Sequence, residues 1–451
     1  MATNLVVAGA VGRAALDARL SSAPDWLARR RAEAWDRYET LPMPSSQHDE
    51  DWRRTDIRGL VVEDYVSEPG PTAHGDALVE AMRTLRDQAL PGAAFVVNTR
   101  RGVRACEGLD ELTAQGVVVG SLEDAAARHP ELVRRGLDAV PADGKFTALW
   151  NALWRGGCFV HVPGGVSARV PVFAAHTAGG EHPAIFPATV VVLEAGATLT
   201  LVDAYASAAG DAPLLSSAVT ALVLGADAQL DYSLLQRWGA GAWHLATHRA
   251  ILGKNARLRM FGASLGSRLQ KSYCEVLADG EGAEAQIAGV AFATGDQHLD
   301  HQSLQRHGAP HTTTNLLLKV AVRDQARSIY SGLVEVVPEA QHSDGYVQNR
   351  NLILGSGARA SGIPRLEIHA DDVRCGHGAT VGHIDEEQRF YLESRGVGRE
   401  EAQRVIVRGF MQDALDRCPQ EGLREVVAAS LDAEIAGRSQ AGVAAAEAVD
   451  A

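Results

Sequence analysis

Cysteine is scarce in this chain. Five thiols, Cys106, Cys158, Cys274, Cys375 and Cys418, are scattered through 451 residues, and none forms a CxxC pair. An odd, sparse set excludes a disulfide-stapled secreted domain and fits free thiols in a reducing cytoplasm. Aromatic residues are few, at 5%, which leaves little surface for stacking sugars. Cations are outnumbered: 43 Lys and Arg against 56 Asp and Glu give a formal charge of −13. That balance favours solubility and argues against non-specific nucleic-acid binding. Long apolar runs are missing too. The longest, around Val190–Leu193, is broken by Pro187 and Glu194, far short of the roughly 18 residues of a membrane span. The first residues, Met1 to Ala10, carry no basic residue ahead of their apolar part and are followed by Arg13 and Asp17. They read as a frayed start and not as a signal peptide.

Enzyme motifs are equally absent. No GxxxxGK[ST] phosphate loop occurs, so ATP hydrolysis by this chain is not expected. No GxGxxG follows a strand and opens a helix. One GxSxG string, Gly262 to Gly266, lies among strand-like segments, whereas a nucleophile elbow needs a strand before it and a helix after it. It reads as a chance match in a glycine-rich chain.

What is present is a change of period along the chain. The length suggests two or three units. In the first, 1–150, Leu27, Ala34, Trp35 and Tyr38 fall on one helical face behind Pro24, and the turn cluster Pro42–Ser46 ends that helix. Ala94–Asn98 and Gly116–Gly120 are β-like, and Ser121 is placed to cap a helix beginning at Leu122. From about residue 151 to 383 the helical period nearly vanishes. A short phrase recurs instead, an alanine at a polar or glycine turn followed by an alternating strand. Its copies sit at Ala168, Ala197, Ala228, Ala256, Ala326 and Ala358. Strand repeats of about 30 residues cannot bury a face alone and must stack on their neighbours. They predict a mainly β fold: a right-handed parallel β-helix, a β-solenoid, flanked by helical regions. A β-sandwich needs hairpin turns at roughly 8–12-residue spacing, and Asn-Gly or Asp-Gly turns are few here. From 384 to 451 the helical period returns. Asp385 and Gln388 suit a capping box, Phe390, Tyr391 and Leu392 lead to a break at Gly396 and Gly398, and Val405, Ile406, Phe410, Met411 and Leu415 form an apolar stripe. The alanine-rich tail from about Gly437 reads as mobile.

Two clusters carry chemistry. Near the C-terminus, Cys375 and His377 are two apart among glycines and strand formers. In a strand, residues i and i+2 share a face, so sulfur and imidazole nitrogen are presented side by side. The pair suits a soft metal or an iron–sulfur fragment, and two ligands leave the set to be completed from elsewhere. The second cluster is His298, His301, His307 and His311, with Asp296 and Asp300. Its spacing superficially suggests zinc, but zinc sites of that kind sit on helices or knuckles, and these flanks are strand-like.

Four segments carry a resemblance: Glu50–Asp56 (EDWRRTD), Phe146–Gly165 (FTALWNALWRGGCFVHVPGG), His307–Thr313 (HGAPHTT) and Asp371–Val397 (DDVRCGHGATVGHIDEEQRFYLESRGV). Together they resemble the SufB/SufD family of iron–sulfur cluster assembly scaffolds over nearly the whole chain. The CxHGAT pattern is closer to the SufD branch, where SufB carries an HEATTS-type sequence. Asn349, in Gln348–Ile353, stands where SufB has the cysteine of its QCDSLL-type strand.

The resemblance implies a non-catalytic scaffold with a β-helix core, pairing with a SufB-like protein. A nascent iron–sulfur cluster is shared transiently across that interface, and none is bound by the chain alone. It places His377 at the interface, opposite the acceptor cysteine, with Cys375 beside it. It implies a SufC-like ABC ATPase bound through the C-terminal helices, with Phe390, Tyr391, Leu392, Ile406, Phe410 and Met411 in that region. Neither nucleic acid nor membrane is an expected partner, and the expected location is the cytoplasm. Two alternatives remain at this point: a β-helix polysaccharide-active enzyme, and a SufB-like homodimeric scaffold.

Overall fold

The computed structural model describes residues 9–67 and 75–437. The expectations for the first residues and for the tail beyond Gly437 lie outside the described residues. The core is a parallel β-solenoid. Strands alternate between two sheets, so each coil contributes one strand to each. On the first sheet, Thr198–Ser207, Gln229–Arg237, Arg257–Ser264, Glu284–Ala293, Thr313–Val322, Asp344–Ile353 and Arg374–His383 stack in order. Thr198 is level with Gln229, Gln229 with Arg257, Arg257 with Glu284, and so on to Asp344 and Arg374. The second sheet runs through Leu214–Leu224, Ala242–Leu252, Leu269–Ala278, His298–His307, Arg327–Val336 and Arg359–Ile368.

The recurring alanine has a physical reason. Ala197, Ala228 and Ala256 each sit one residue before a first-sheet strand and point into the corner of the coil, where all three are fully buried. The same corner is filled by Ala283, Thr312 and Ser343 in later coils. Ala326 and Ala358 hold the corresponding place before strands of the second sheet, so the six copies read from sequence belong to two corners. The first copy is also displaced: Ser167 pairs with Thr198, which puts Val166, and not Ala168, beside Ala197. Just before each first-sheet corner stands a residue with left-handed backbone: Gly196, Asp227, Asn255, Gly282, His311 and His342, with φ between 53° and 72°. Glycine takes this conformation freely, and Asn, Asp and His are the side chains most often found there. The backbone N–H of each donates to a carbonyl of the following coil, as in Asp227 to Lys254 (2.7 Å) and His311 to Gln341 (3.0 Å). This column of hydrogen bonds joins the coils along their corner.

Helices cover both outer faces. Asp25–Thr40 and Lys145–Leu153 bury Trp35, Leu149 and Trp150 against Val190, Val219 and Trp243 of the second sheet. Gly75–Ala89, Arg399–Leu415 and Glu421–Ile435 bury Met82, Met411 and Val427 against Phe173, Phe261 and Leu317 of the first. The two ends of the solenoid differ. At the N-terminal end an antiparallel strand closes each sheet: Gly102–Glu107 on Ala94–Thr99, and Val118–Ser121 on Cys158–Val162. At the C-terminal end Arg374–His383 and Arg359–Ile368 are the last strands of their sheets.

Candidate functional site

The open C-terminal end presents the residues singled out by sequence. Along Arg374–His383, alternate residues continue the interior rows of the solenoid. His377 is level with Val347, itself buried beside Leu316, and Cys375 is level with Gly345. Cys375 and His377 therefore face the same way, into the space between the sheets. Among the described residues no coil follows, and that interior row is uncovered: His377 is exposed, as are Val381 (47%) and, on the facing strand, Ile368 (40%). An edge with unpaired N–H and C=O groups and uncovered apolar side chains is a ready template for another chain.

Glycine shapes the site. A methyl at Gly345 would lie 3.0 Å from His307 Nε2 and 3.4 Å from Cys375 Sγ, so both side chains keep their places only because position 345 has no side chain. Tyr346 lies flat enough against Gly376 that a methyl there would touch its ring at 3.2 Å. Burial pushes the Cys375 thiol above its ordinary value, which keeps it protonated until something draws the proton off. Asn349 is buried beneath Ala379. Its amide donates to Leu318 O (3.4 Å) and its carbonyl accepts from Asn351 Nδ2 (2.6 Å).

The four histidines of the second cluster do not converge. His298 faces outward, where its ring lies 3.1 Å from the Thr55 hydroxyl. His301, an odd number of residues further along the same strand, faces inward to Ser264 (3.2 Å) and Gln270 (3.3 Å). His307 is buried, with both nitrogens engaged by Thr312 (2.7 Å) and Thr314 (2.9 Å). His311 is at the corner, stacked on His342 with ring centroids 5.0 Å apart. Burial lowers His301 and His307 to about 4, so both are neutral at pH 7. Ser264 of the GxSxG string ends a strand and is followed by another strand, with no helix behind it.

The C-terminal stripe divides into two faces. Asp385 caps Glu386–Ser394 by accepting from the N–H groups of Glu387 (2.9 Å) and Gln388 (3.4 Å). This helix buries no side chain: Phe390 (71%) and Tyr391 (58%) stand in solvent, with Leu392 half-buried. On Arg399–Leu415, Met411 is fully buried against the first sheet, and Ile406 and Phe410 pack at its margin. Lys319 anchors that helix, donating to Phe410 O (2.6 Å) and pairing with Asp413.

Comparison with known proteins matches this architecture in two adjoining parts. The description "SufBD protein N-terminal region" fits residues 15–173, and "SUF system FeS cluster assembly, SufBD core domain" fits residues 175–410. The chain belongs to the SufBD family. Similar proteins include an iron-sulfur cluster assembly SufBD family protein of Staphylococcus saprophyticus, 27% identical over 406 residues and covering 88% of this chain and 87% of the relative. One from Staphylococcus epidermidis is 28% identical over 411 residues (89% and 88%). One from Staphylococcus aureus is 30% identical over 313 residues (69% and 67%).

This SufBD-family chain also carries polar groups that sequence reasoning missed. Lys271 and Asp300 form a buried pair (2.7 Å) on the outer face of the second sheet, and Lys271 also donates to Asp51 O (2.6 Å) and lies 4.9 Å from the Trp52 ring centroid. Thr55 donates to the same Asp300 carboxylate. The pair thus clasps the Glu50–Asp56 segment to the solenoid. Inside the solenoid, Asp203 is fully buried with His176 (3.2 Å), Tyr205 (3.1 Å) and Tyr232 (3.0 Å). An aspartate inside the apolar run Leu199–Ala206 was the available signal.

Proposed function

We propose that this chain is a SufD-like, non-catalytic scaffold subunit of a cytoplasmic complex that assembles iron–sulfur clusters. The observation that carries the reading is the open solenoid end, where Cys375 and His377 share an interior row that no strand covers among the described residues. A SufB-like protein docks there edge to edge. The nascent cluster is cargo held across the interface, with His377 supplying one neutral nitrogen and a partner thiolate the sulfur. Asn349 favours the SufD-like role over a SufB-like homodimer: an amide paired with Asn351 stands where an acceptor thiol would be needed. The exposed Phe390 and Tyr391, with Leu392, Ile406 and Phe410 alongside and Met411 anchoring the helix from beneath, form the region that docks a SufC-like ATPase. Closure of the ATPase dimer then shifts the scaffold pair between two states in proportion to its differential binding. No helix among the described residues is long and apolar enough to cross a membrane.

The test is amide hydrogen exchange of the chain alone and with its SufB-like partner. Exchange should slow in Arg374–His383 and Arg359–Ile368 on complex formation. Protection confined to the N-terminal strands or to the helix-covered faces would sink the proposal.

A further inference from the structure

A second set of soft donors lies inside the solenoid, well away from the open end. Met260 points inward from the first sheet and Cys274 from the second, and their sulfurs face each other across the interior at 3.8 Å. They border a cavity of about 80 Å3, lined by Leu234, His248, Met260, Gly262, Cys274 and His301 among others. Gly262 makes the space: a methyl there would meet nothing within 4 Å. His248 is level with Cys274 on the adjacent strand and is 4% exposed. Its Nδ1 is held by Thr220 Oγ1 (3.0 Å), while its Nε2 is buried with no partner. His301 Nδ1 is orphaned in the same way. Buried nitrogens without partners are uncommon and call for an explanation.

The donor set selects its ligand. Thiol, thioether and imidazole are soft to borderline donors, the combination that favours Cu(I). Metal–sulfur bonds of about 2.3 Å, the length of a zinc–thiolate bond, span 3.8 Å at an angle of about 110°, so the two sulfurs are already spaced for one ion. Charge points the same way. One thiolate with neutral donors balances a monovalent ion, whereas a divalent ion would leave an uncompensated charge in a buried site. Among the described residues no three His, Cys, Asp or Glu side chains converge on one point, and that removes the usual zinc arrangement. Here the methionine completes the set.

We infer that Cys274, Met260 and His248 form an internal site for one Cu(I) ion, bridging the two sheets of the solenoid. Binding exchanges the Cys274 thiol proton for the metal: Cys–SH and Cu(I) give Cys–S–Cu(I) and a proton, with no change of oxidation state. The site lies four strands from the Arg374–His383 edge along the first sheet, roughly 19 Å at the usual strand spacing. It stands independently of the scaffold reading.

The experiment titrates the full chain, reduced and metal-free under anaerobic conditions, with Cu(I) against a chromophoric Cu(I) chelator. A Cys106→Ser/Cys375→Ser background removes the exposed thiol and the thiol at the open end. One Cu(I) per chain is expected. Cys274→Ser should weaken it by more than about 100-fold, since losing even an outer partner of a metal site costs 10- to 100-fold. Met260→Leu, which conserves core volume, should weaken it at least about tenfold with circular dichroism unchanged, and decides the question if Cys274→Ser fails to fold. X-ray absorption should show two sulfurs and a nitrogen around the copper. Unchanged affinity in Met260→Leu, a single-sulfur spectrum, or equal retention of Zn(II) would each overturn the site, leaving an S–H···S contact beside a water-filled cavity.

Discussion

Asp300→Asn tests how the N-terminal segment is fastened to the solenoid. The Lys271 and Asp300 side chains are 0% and 1% exposed, so the ammonium depends on its carboxylate partner. Asparagine keeps the shape and one acceptor oxygen but removes the charge. Breaking a buried pair in this way costs about 3–5 kcal/mol. The cost has a ceiling, because Lys271 can shed its proton instead. Starting from its ordinary value of 10.5, deprotonation at pH 7 costs about 4.8 kcal/mol, and at pH 9 about 2 kcal/mol. Burial already holds the Lys271 pKa below that ordinary value, with Asp300 pulling it back up. Without the carboxylate it falls further. Between the lowered and the ordinary pKa the unfolded chain binds more protons than the folded one, so the variant gains stability as pH rises. Urea unfolding at pH 7 and pH 9, followed by tryptophan fluorescence, should show a penalty of about 3–5 kcal/mol at pH 7 that is roughly halved at pH 9. Hydrogen exchange in residues 50–58 should quicken, because Thr55 and Lys271 lose the charge of their shared acceptor. A penalty below about 1 kcal/mol at pH 7, or one of equal size at both pH values, would refute the reasoning.

Three further outcomes follow from the same structure. Gly345→Ala would bring a methyl within 2.9 Å of Val334 Cγ1 and 3.0 Å of His307 Nε2, and overpacking of this kind costs about 1–3 kcal/mol; Gly409→Ala, in the helix Arg399–Leu415 where a methyl meets nothing, should stabilise by up to about 1 kcal/mol, so their denaturation midpoints should move in opposite directions. Burial lowers His248, His301 and His307 to about 4 from 6.5; below pH 6.5 the unfolded chain takes up protons the folded chain refuses, so stability should fall from pH 6.5 to about 4 by up to roughly 3 kcal/mol per histidine, and a midpoint that stays flat across that window would contradict the neutral assignment. Phe390→Ser with Tyr391→Ser should leave the unfolding midpoint unchanged and weaken binding of the SufC-like ATPase by at least about 30-fold, the loss of a docking anchor; calorimetry with unchanged affinity would move the ATPase surface elsewhere.

Much of the architecture was legible because a solenoid repeats its constraints. The inward corner favours small residues, so Ala197, Ala228 and Ala256 recur in the sequence at nearly constant spacing. The signal fades where Thr312 and Ser343 take that place, since a hydroxyl of similar size fits equally well and hydrogen-bonds across the coils (2.7 Å). The left-handed column was invisible as a pattern: Gly, Asp, Asn and His share a backbone conformation and little side-chain chemistry. The shared face of Cys375 and His377 followed from the period of a strand. The histidine spacing builds no zinc site for the same reason. An odd step from His298 to His301 crosses from the outer face to the interior, and His311 lies beyond the strand at a corner. The Lys271–Asp300 clasp could not be read locally, because its third party, Thr55, is 245 residues from Asp300.

The central claim is that the open solenoid end carries the cluster as cargo through His377. It is tested most directly by anaerobic reconstitution of the chain co-expressed with its SufB-like and SufC-like partners, comparing wild type with His377→Ala and measuring iron and sulfide per complex. The account predicts equal assembly of the complex and a much lower iron and sulfide content in the variant. Equal filling of both would contradict it and place the cluster wholly on the partner.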